Sequence, residues 1–244
     1  MSHATTERPA AETAVASGAQ RLDIYSSIHR ALRLFMTDTL GRVGWLDVSD
    51  AAELAATLAQ VDALLMTCRH HLDNENRHVH TAIEAVLPGA SMRMAGEHVQ
   101  HEEEIAALQA EVATLRASPG SAQALRLYRH LALFVAENFL HMQVEETAHN
   151  EALWAAYGDA EIGGMEQRIV ASLSPDEAML VVRWMTPALP PMERAGWFGA
   201  MRQNMPPEVF AGVMDIARRV LDDTAWAKLT RALGSPPVPG LVTV

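Results

Sequence analysis

At 244 residues the chain has ample material for a core, and nearly half of it is apolar, yet aromatics make up only 5%. With Ala and Leu dominant and no long alternating Val/Ile/Thr segment, this argues against a sheet and for helices packed on helices. A net charge of −11 argues against nucleic acid and anionic membranes as partners, and a single cysteine, Cys68, excludes an internal disulfide.

Residues 1–20 show no apolar period and are expected to be a disordered leader. The leader has no apolar h-region, and no uninterrupted apolar run is long enough to span a bilayer, so a cytoplasmic location is expected. A first helix is predicted from about Leu22 to Leu40, with Gly41 and Gly44 ending it. Its buried stripe is Tyr25, Ile28, His29, Leu32, Phe35 and Met36, so His29 lies within the apolar face. Ser49-Asp50 followed by Glu53 opens a second helix, which runs through Leu54, Leu58, Val61, Leu64, Leu65 and Cys68. Continued at steps of three and four, that stripe meets His71, Glu75 and His78 before Pro88-Gly89 stops the helix.

Ser91 opens a third helix. Extrapolating its stripe backwards from Ile105 and Leu108 lands on His101 and His98, and Ser118-Pro119-Gly120 ends it. A fourth helix runs from about Ser121 to Tyr157, with Leu127, Leu131, Phe134, Asn138, His141, Glu145 and His149 on one face. Short connections favour antiparallel neighbours. The remainder to about residue 235 is predicted as a smaller C-terminal bundle of short helices. Ser174-Pro175-Asp176-Glu177 starts one of them, and a flexible tail spans 236–244.

Chemistry is concentrated in the first part. Of eleven histidines, ten fall between His29 and His149, and residues 150–244 contain none. His71 with Glu75, and His141 with Glu145, stand four apart, which puts each pair on one helix face. A buried ionised carboxylate is costly unless it is paired or coordinates a metal. In an up-down-up-down arrangement the second and fourth helices run the same way, so the two glutamates share a level and can bridge a metal pair. His29 and His71 can then serve one metal and His98 and His141 the other, with His101 as a further nitrogen or an outer partner. The expected ligands are therefore His29, His71, Glu75, His98, His101, His141 and Glu145. Tyr25, His78 and His149 are expected on the floor below them. His70 is expected to be solvated or an outer partner, and His80 and His130 to be at the surface.

His29, His71-x-x-x-Glu75, Glu97-His98 and His141-x-x-x-Glu145, in that order over residues 21–157, resemble the hemerythrin-like (HHE) cation-binding family. The resemblance implies an all-α, up-down-up-down four-helix bundle carrying two iron ions bridged by the two carboxylates. It implies binding or sensing of oxygen or nitric oxide, or handling of iron. Its enzymatic alternative is peroxide or nitric-oxide detoxification, or iron–sulfur cluster repair. The stripes beside the ligands, closed by Leu32, Phe35, Met94, Leu108, Leu131 and Phe134, read as packed core, so no cleft for an organic substrate is expected. Residues 158–235 are expected to stay clear of the metals and to pack on the bundle or offer a surface to a protein partner.

Overall fold

The computed structural model describes residues 21–234; the leader and the final residues predicted as a tail lie outside them. The described chain is all-helical and has no strand. Four long helices lead: α1 (Ser26–Gly44), α2 (Ala51–Asn74), α4 (Met92–Ala117) and α5 (Ser121–Val144). Short α3 (Thr81–Val86) and α6 (Asn150–Ala156) continue α2 and α5 through π-helical segments at Glu75–His80 and Glu145–His149.

Local chemistry sets the ends of these helices. Asp50 accepts hydrogen bonds from the N–H groups of Ala52 and Glu53 at 2.9 and 3.1 Å and so starts α2. At the head of α1, Asp23 Oδ1 accepts from the N–H groups of Tyr25 and Ser26, both at 3.0 Å. The first helix therefore opens later than the predicted Leu22. It also runs through Gly41 to Gly44, where a side chain would sit 3.0 Å from the ring of Tyr128 on α5.

α1 packs on α2 and α5, and α4 packs on the same two, closing a ring. The sense of each contact follows from its partners. Along α1 from His29 to Thr39, the partner on α2 falls from His71 to Gln60. Between α2 and α4, Asp62 meets Arg116 whereas Asn76 meets His98. Neighbours are thus antiparallel. Inside the ring lies a core that includes Leu32, Phe35, Leu64, Leu65, Ile105, Leu108, Leu131 and Phe134. Ala51–Val86 is also long and apolar enough by composition to cross a membrane, but its apolar face is the one packed in this core. Cys68 is buried there, and burial pushes its thiol up to about 12.

The C-terminal helices are α7 (Asp159–Ser172), α8 (Pro175–Ala188), α9 (Pro191–Asn204), α10 (Pro207–Val220) and α11 (Asp223–Ala232). The capping box of Ser174 and Glu177 starts α8 as the sequence predicts. Phe198, Val213, Ala217, Leu221 and Leu229 give this region a small core of its own. Its attachment to the ring is direct. α8 lies along α1, with Trp184 stacked on Phe35 at 4.0 Å between ring centroids, and Arg30 donates to Glu193 at 2.5 Å. Below the ring, Ile24, Tyr25, Val79, Ile83, Leu153, Ile162 and Met165 form a third cluster that joins α1, α3, α6 and α7.

Candidate metal centre

The stripe that packs Leu64, Leu65 and Cys68 continues down α2 to His71 and Glu75, and that of α5 continues to His141 and Glu145. His29 on α1 and His98 on α4 arrive at the same level from opposite sides of the ring. Two groups result, His29–His71–Glu75–Glu145 and Glu75–His98–His141–Glu145, sharing both glutamates. All four imidazoles present Nε2. His29 Nε2 lies 3.2 Å from His71 Nε2, and His98 Nε2 lies 2.9 Å from His141 Nε2. From Glu75, Oε1 is 3.0 Å from His71 and 3.6 Å from His29, while Oε2 is 3.6 Å from His98. From Glu145, Oε1 is 3.3 Å from His141 and 3.7 Å from His98, while Oε2 is 3.6 Å from His29.

These spacings fit metal coordination. At a metal–ligand distance of about 2.1 Å, two ligands at right angles are about 3.0 Å apart, and two at the tetrahedral angle about 3.4 Å. The carboxylates make the same point chemically. Glu75 and Glu145 are 2% and 0% exposed, and none of their four oxygens accepts a hydrogen bond. Anionic oxygens buried without donors cost several kcal/mol each unless a cation meets them (on the order of 1–3 or more). The buried His/Glu clusters can therefore hold a metal ion.

The imidazoles are oriented from behind. His29 Nδ1 is 3.0 Å from Glu146 Oε1, and Glu146 is in turn ion-paired with Arg33. His141 Nδ1 is 3.0 Å from Glu97 Oε2, and Glu97 accepts from Arg93 at 3.0 Å. His98 Nδ1 donates to Asn76 Oδ1 at 2.8 Å. A proton held on Nδ1 leaves the Nε2 lone pair facing the glutamates. Electrostatics follow from this packing. Burial works to lower the pKa of His29, but Glu146 and Glu75 prevail and raise it to about 9. His141 is likewise raised to about 9 against burial, by Glu145 and Glu97. Burial and Glu75 would raise the Glu145 carboxyl, but His141 and His98 hold it down to about 2.

The two histidines of α4, both expected as ligands, are placed differently. His98 enters the Glu75–Glu145 group, whereas His101 stands one turn away, edge-on to His141 with ring centroids 4.9 Å apart. Burial, with His141 and His98 nearby, pushes the His101 pKa down to about 4.

The floor departs from expectation. His80, expected at the surface, is 4% exposed, stacks on His98 at 4.8 Å and brings Nε2 to 3.9 Å from Glu145. The π-helical segment is the reason. Its wider turn returns the residue five after Glu75 to the core face, so His80 takes the place the α-helical stripe assigned to His78. His78 is turned aside and only half-buried. His149 and Tyr25 are on the floor as predicted, with the Tyr25 hydroxyl 3.2 Å from His149 Nδ1. Burial, then Glu145 and Glu75, raise the Tyr25 pKa and keep its phenol protonated. His80, Glu145 and His149 form a third group of ligand atoms. His130 is held near the surface between Glu104 and Glu111, and the partly exposed His70 pairs with Glu177.

The described residues beyond 149 supply no atom to the three groups, but they wall a cavity beside them. About 250 Å³ in volume, it lies between α1 and α2 on one side and α7, α8 and α9 on the other, and Tyr25, His71 and Glu75 line its inner end. The expectation that no apolar cleft leads to the ligands is corrected here. The ring's own stripes are packed as predicted, and the opening forms where the C-terminal helices meet the ring. In comparisons with known proteins, no family model, curated protein or solved structure matches the chain.

Proposed function

We propose that the chain is a non-haem di-iron protein of hemerythrin-like kind. In this reading the ring of α1, α2, α4 and α5 is an up-down-up-down four-helix bundle, and the bound pair of irons binds or senses oxygen or nitric oxide. One observation carries it: two buried carboxylates, Glu75 and Glu145, each face imidazoles of both ligand groups. A single metal needs one such group, whereas two groups sharing both glutamates suit two metals side by side. His29 and His71 would hold one iron, and His98 and His141 the other. Affinity order alone favours copper or zinc over ferrous iron, so iron rests on the resemblance of the motif set.

A ferrous pair supplies the electrons with which a diatomic is held. The chain's own residues orient and protect. Glu146, Glu97 and Asn76 fix the ligand imidazoles, and burial of His29, His98, His141 and both glutamates excludes bulk water. The neutral Tyr25 phenol and the unpartnered nitrogens of His80 and His149 are the hydrogen-bonding groups available on the floor.

The second reading, a di-iron enzyme acting on peroxide or nitric oxide or repairing iron–sulfur clusters, draws on the same floor, because turnover needs a proton donor there. Two measurements separate the readings. Protein made in iron-replete medium is expected to carry close to two irons per chain, and stoichiometric zinc without iron would remove the iron assignment. Anaerobically reduced protein exposed to oxygen is expected to develop a lasting visible charge-transfer band that reverses when oxygen is withdrawn. Immediate oxidation with peroxide turnover would favour the enzyme.

A further inference from the structure

The cavity between the ring and the C-terminal helices has walls unlike those of the ligand groups it touches. Ile28, Leu180, Val181 and Ile169 line it with aliphatic carbon, and Met66, Met185, Met201 and Met205 add four flexible thioethers. Unbranched thioethers adapt to irregular apolar shapes. One end reaches the surface, where Val170 is 60% exposed and the His70–Glu177 pair is partly exposed. The other end is buried and polar: Tyr25 and Glu75 are each 2% exposed, with His71 and Asn74 beside them. Among the described residues the lining contains no Lys or Arg, while Glu75, Glu166 and Glu177 all border it. An organic anion would meet carboxylates and no guanidinium or ammonium, whereas a neutral molecule meets no penalty.

We propose that this cavity binds a small uncharged lipophilic molecule with one hydroxyl or carbonyl end, its carbon body among α1, α8 and α9 and its polar end toward Tyr25, His71 and Glu75. The volume sets its size. At about 30 Å³ for each water-sized group, 250 Å³ takes on the order of eight such groups, below the range of drug-sized ligands. The class of molecule rests on the cavity alone; only its polar end lying beside a metal rests on the di-iron reading.

The test is calorimetric titration of the full chain with 1-alkanols from butanol to dodecanol and with alkanoates of matched length, metal content being measured on the same samples. One molecule per chain is expected to bind, with affinity rising about fourfold per methylene up to roughly eight carbons and then levelling off as the tail reaches the open end. Alkanoates are expected to bind at least tenfold more weakly. Val181→Phe fills the cavity and is expected to weaken octanol by tenfold or more, while Met185→Ala enlarges it and moves the plateau to longer chains. Absence of saturable binding, a series without a dependence on chain length below eight carbons, or both variants behaving as the parent would overturn the assignment. Metal present with no alkanol bound refutes the cavity reading alone; alkanol bound with no metal supports it and refutes the di-iron reading.

Discussion

Replacing Glu75 by Gln tests the pairing of the two ligand groups. The change keeps the shape of the side chain but removes the charge and turns one oxygen into a donor. Glu75 faces both groups, with His71 at 3.0 Å, His29 at 3.6 Å and His98 at 3.6 Å, so under the proposed two-metal reading its loss would be felt by both metals at once. Loss of an outer partner already weakens metal binding by about 10–100-fold, so loss of a shared ligand is taken at about 100-fold or more. By mass action that removes about 2.7 kcal/mol or more of metal-linked stability. In a chain of this size each kcal/mol moves Tm by about 2–4 °C, so the effect is about 5–11 °C. The assay is the melting difference between metal-loaded and chelator-stripped protein, with metal content by plasma mass spectrometry. The Glu75→Gln difference is expected to shrink by that amount and one or both metals to be lost, whereas His70→Ala keeps them. Equal metal content and an equal melting difference in Glu75→Gln and the parent would refute the shared-carboxylate geometry.

Four further outcomes follow from the same structure. Glu146→Gln and Glu97→Gln remove the negative charge of the Nδ1 partners of His29 and His141, and each is expected to weaken metal binding about 10-fold or more in competition with a chelator, while the fold is kept. Trp184→Ala removes the partly buried ring stacked on Phe35 and is expected to cost about 2–3 kcal/mol by urea unfolding, with metal content unchanged. Asp50→Ala deletes an acceptor of two N–H groups at the head of α2 and is expected to cost about 1 kcal/mol. Burial lowers the His130 pKa, but Glu104 and Glu111 outweigh it and raise the value. The stability gained is therefore full below the ordinary value of about 6.5 and is lost as pH rises through the raised one. The stability difference between parent and His130→Gln is expected to be largest at acid pH and no more than about 1 kcal/mol, since Glu104 is 43% exposed.

Six of the seven expected ligands come together because α-helical periodicity holds from the apolar core down to Glu75 and Glu145. A stripe at steps of three and four carries His71, Glu75, His141 and Glu145 inward with no information beyond spacing. Below that level the rule changes, and nothing local announces it. Glu75 to His80 contains neither Gly nor Pro, so the wide turn is a tertiary choice, and a fixed period points to His78 where the fold uses His80. His98, and not His101, stands in the group with Glu75 and Glu145, and its Nδ1 meets Asn76, a residue of the facing π-helical segment that no single-helix pattern singles out. Glu146 and Glu97 each sit next to a ligand in the chain, so adjacency is a signal for them, although their roles appear only once the chain ending α5 lies beside α1 for Glu146 and α4 lies beside α5 for Glu97. The cavity was least accessible to sequence reasoning, because its lining joins Ile24 to Met205 and belongs to no motif.

That last arrangement has a consequence for how the protein is made. Every atom of the three ligand groups precedes Asn150, whereas the far wall of the cavity is built from Glu166 onward. At about 5–20 residues per second, the 56 residues from Asn150 to Met205, the last of that wall, take about 3–11 seconds to be made. For that interval the flank of α1 and α2 that will face α8 has no cover. A cation captured then meets an open doorway, while one reaching the finished chain passes Met66, Met185 and the other side chains that line the opening. Loading during synthesis and reloading after chelation are thus two different journeys to the same eight side chains.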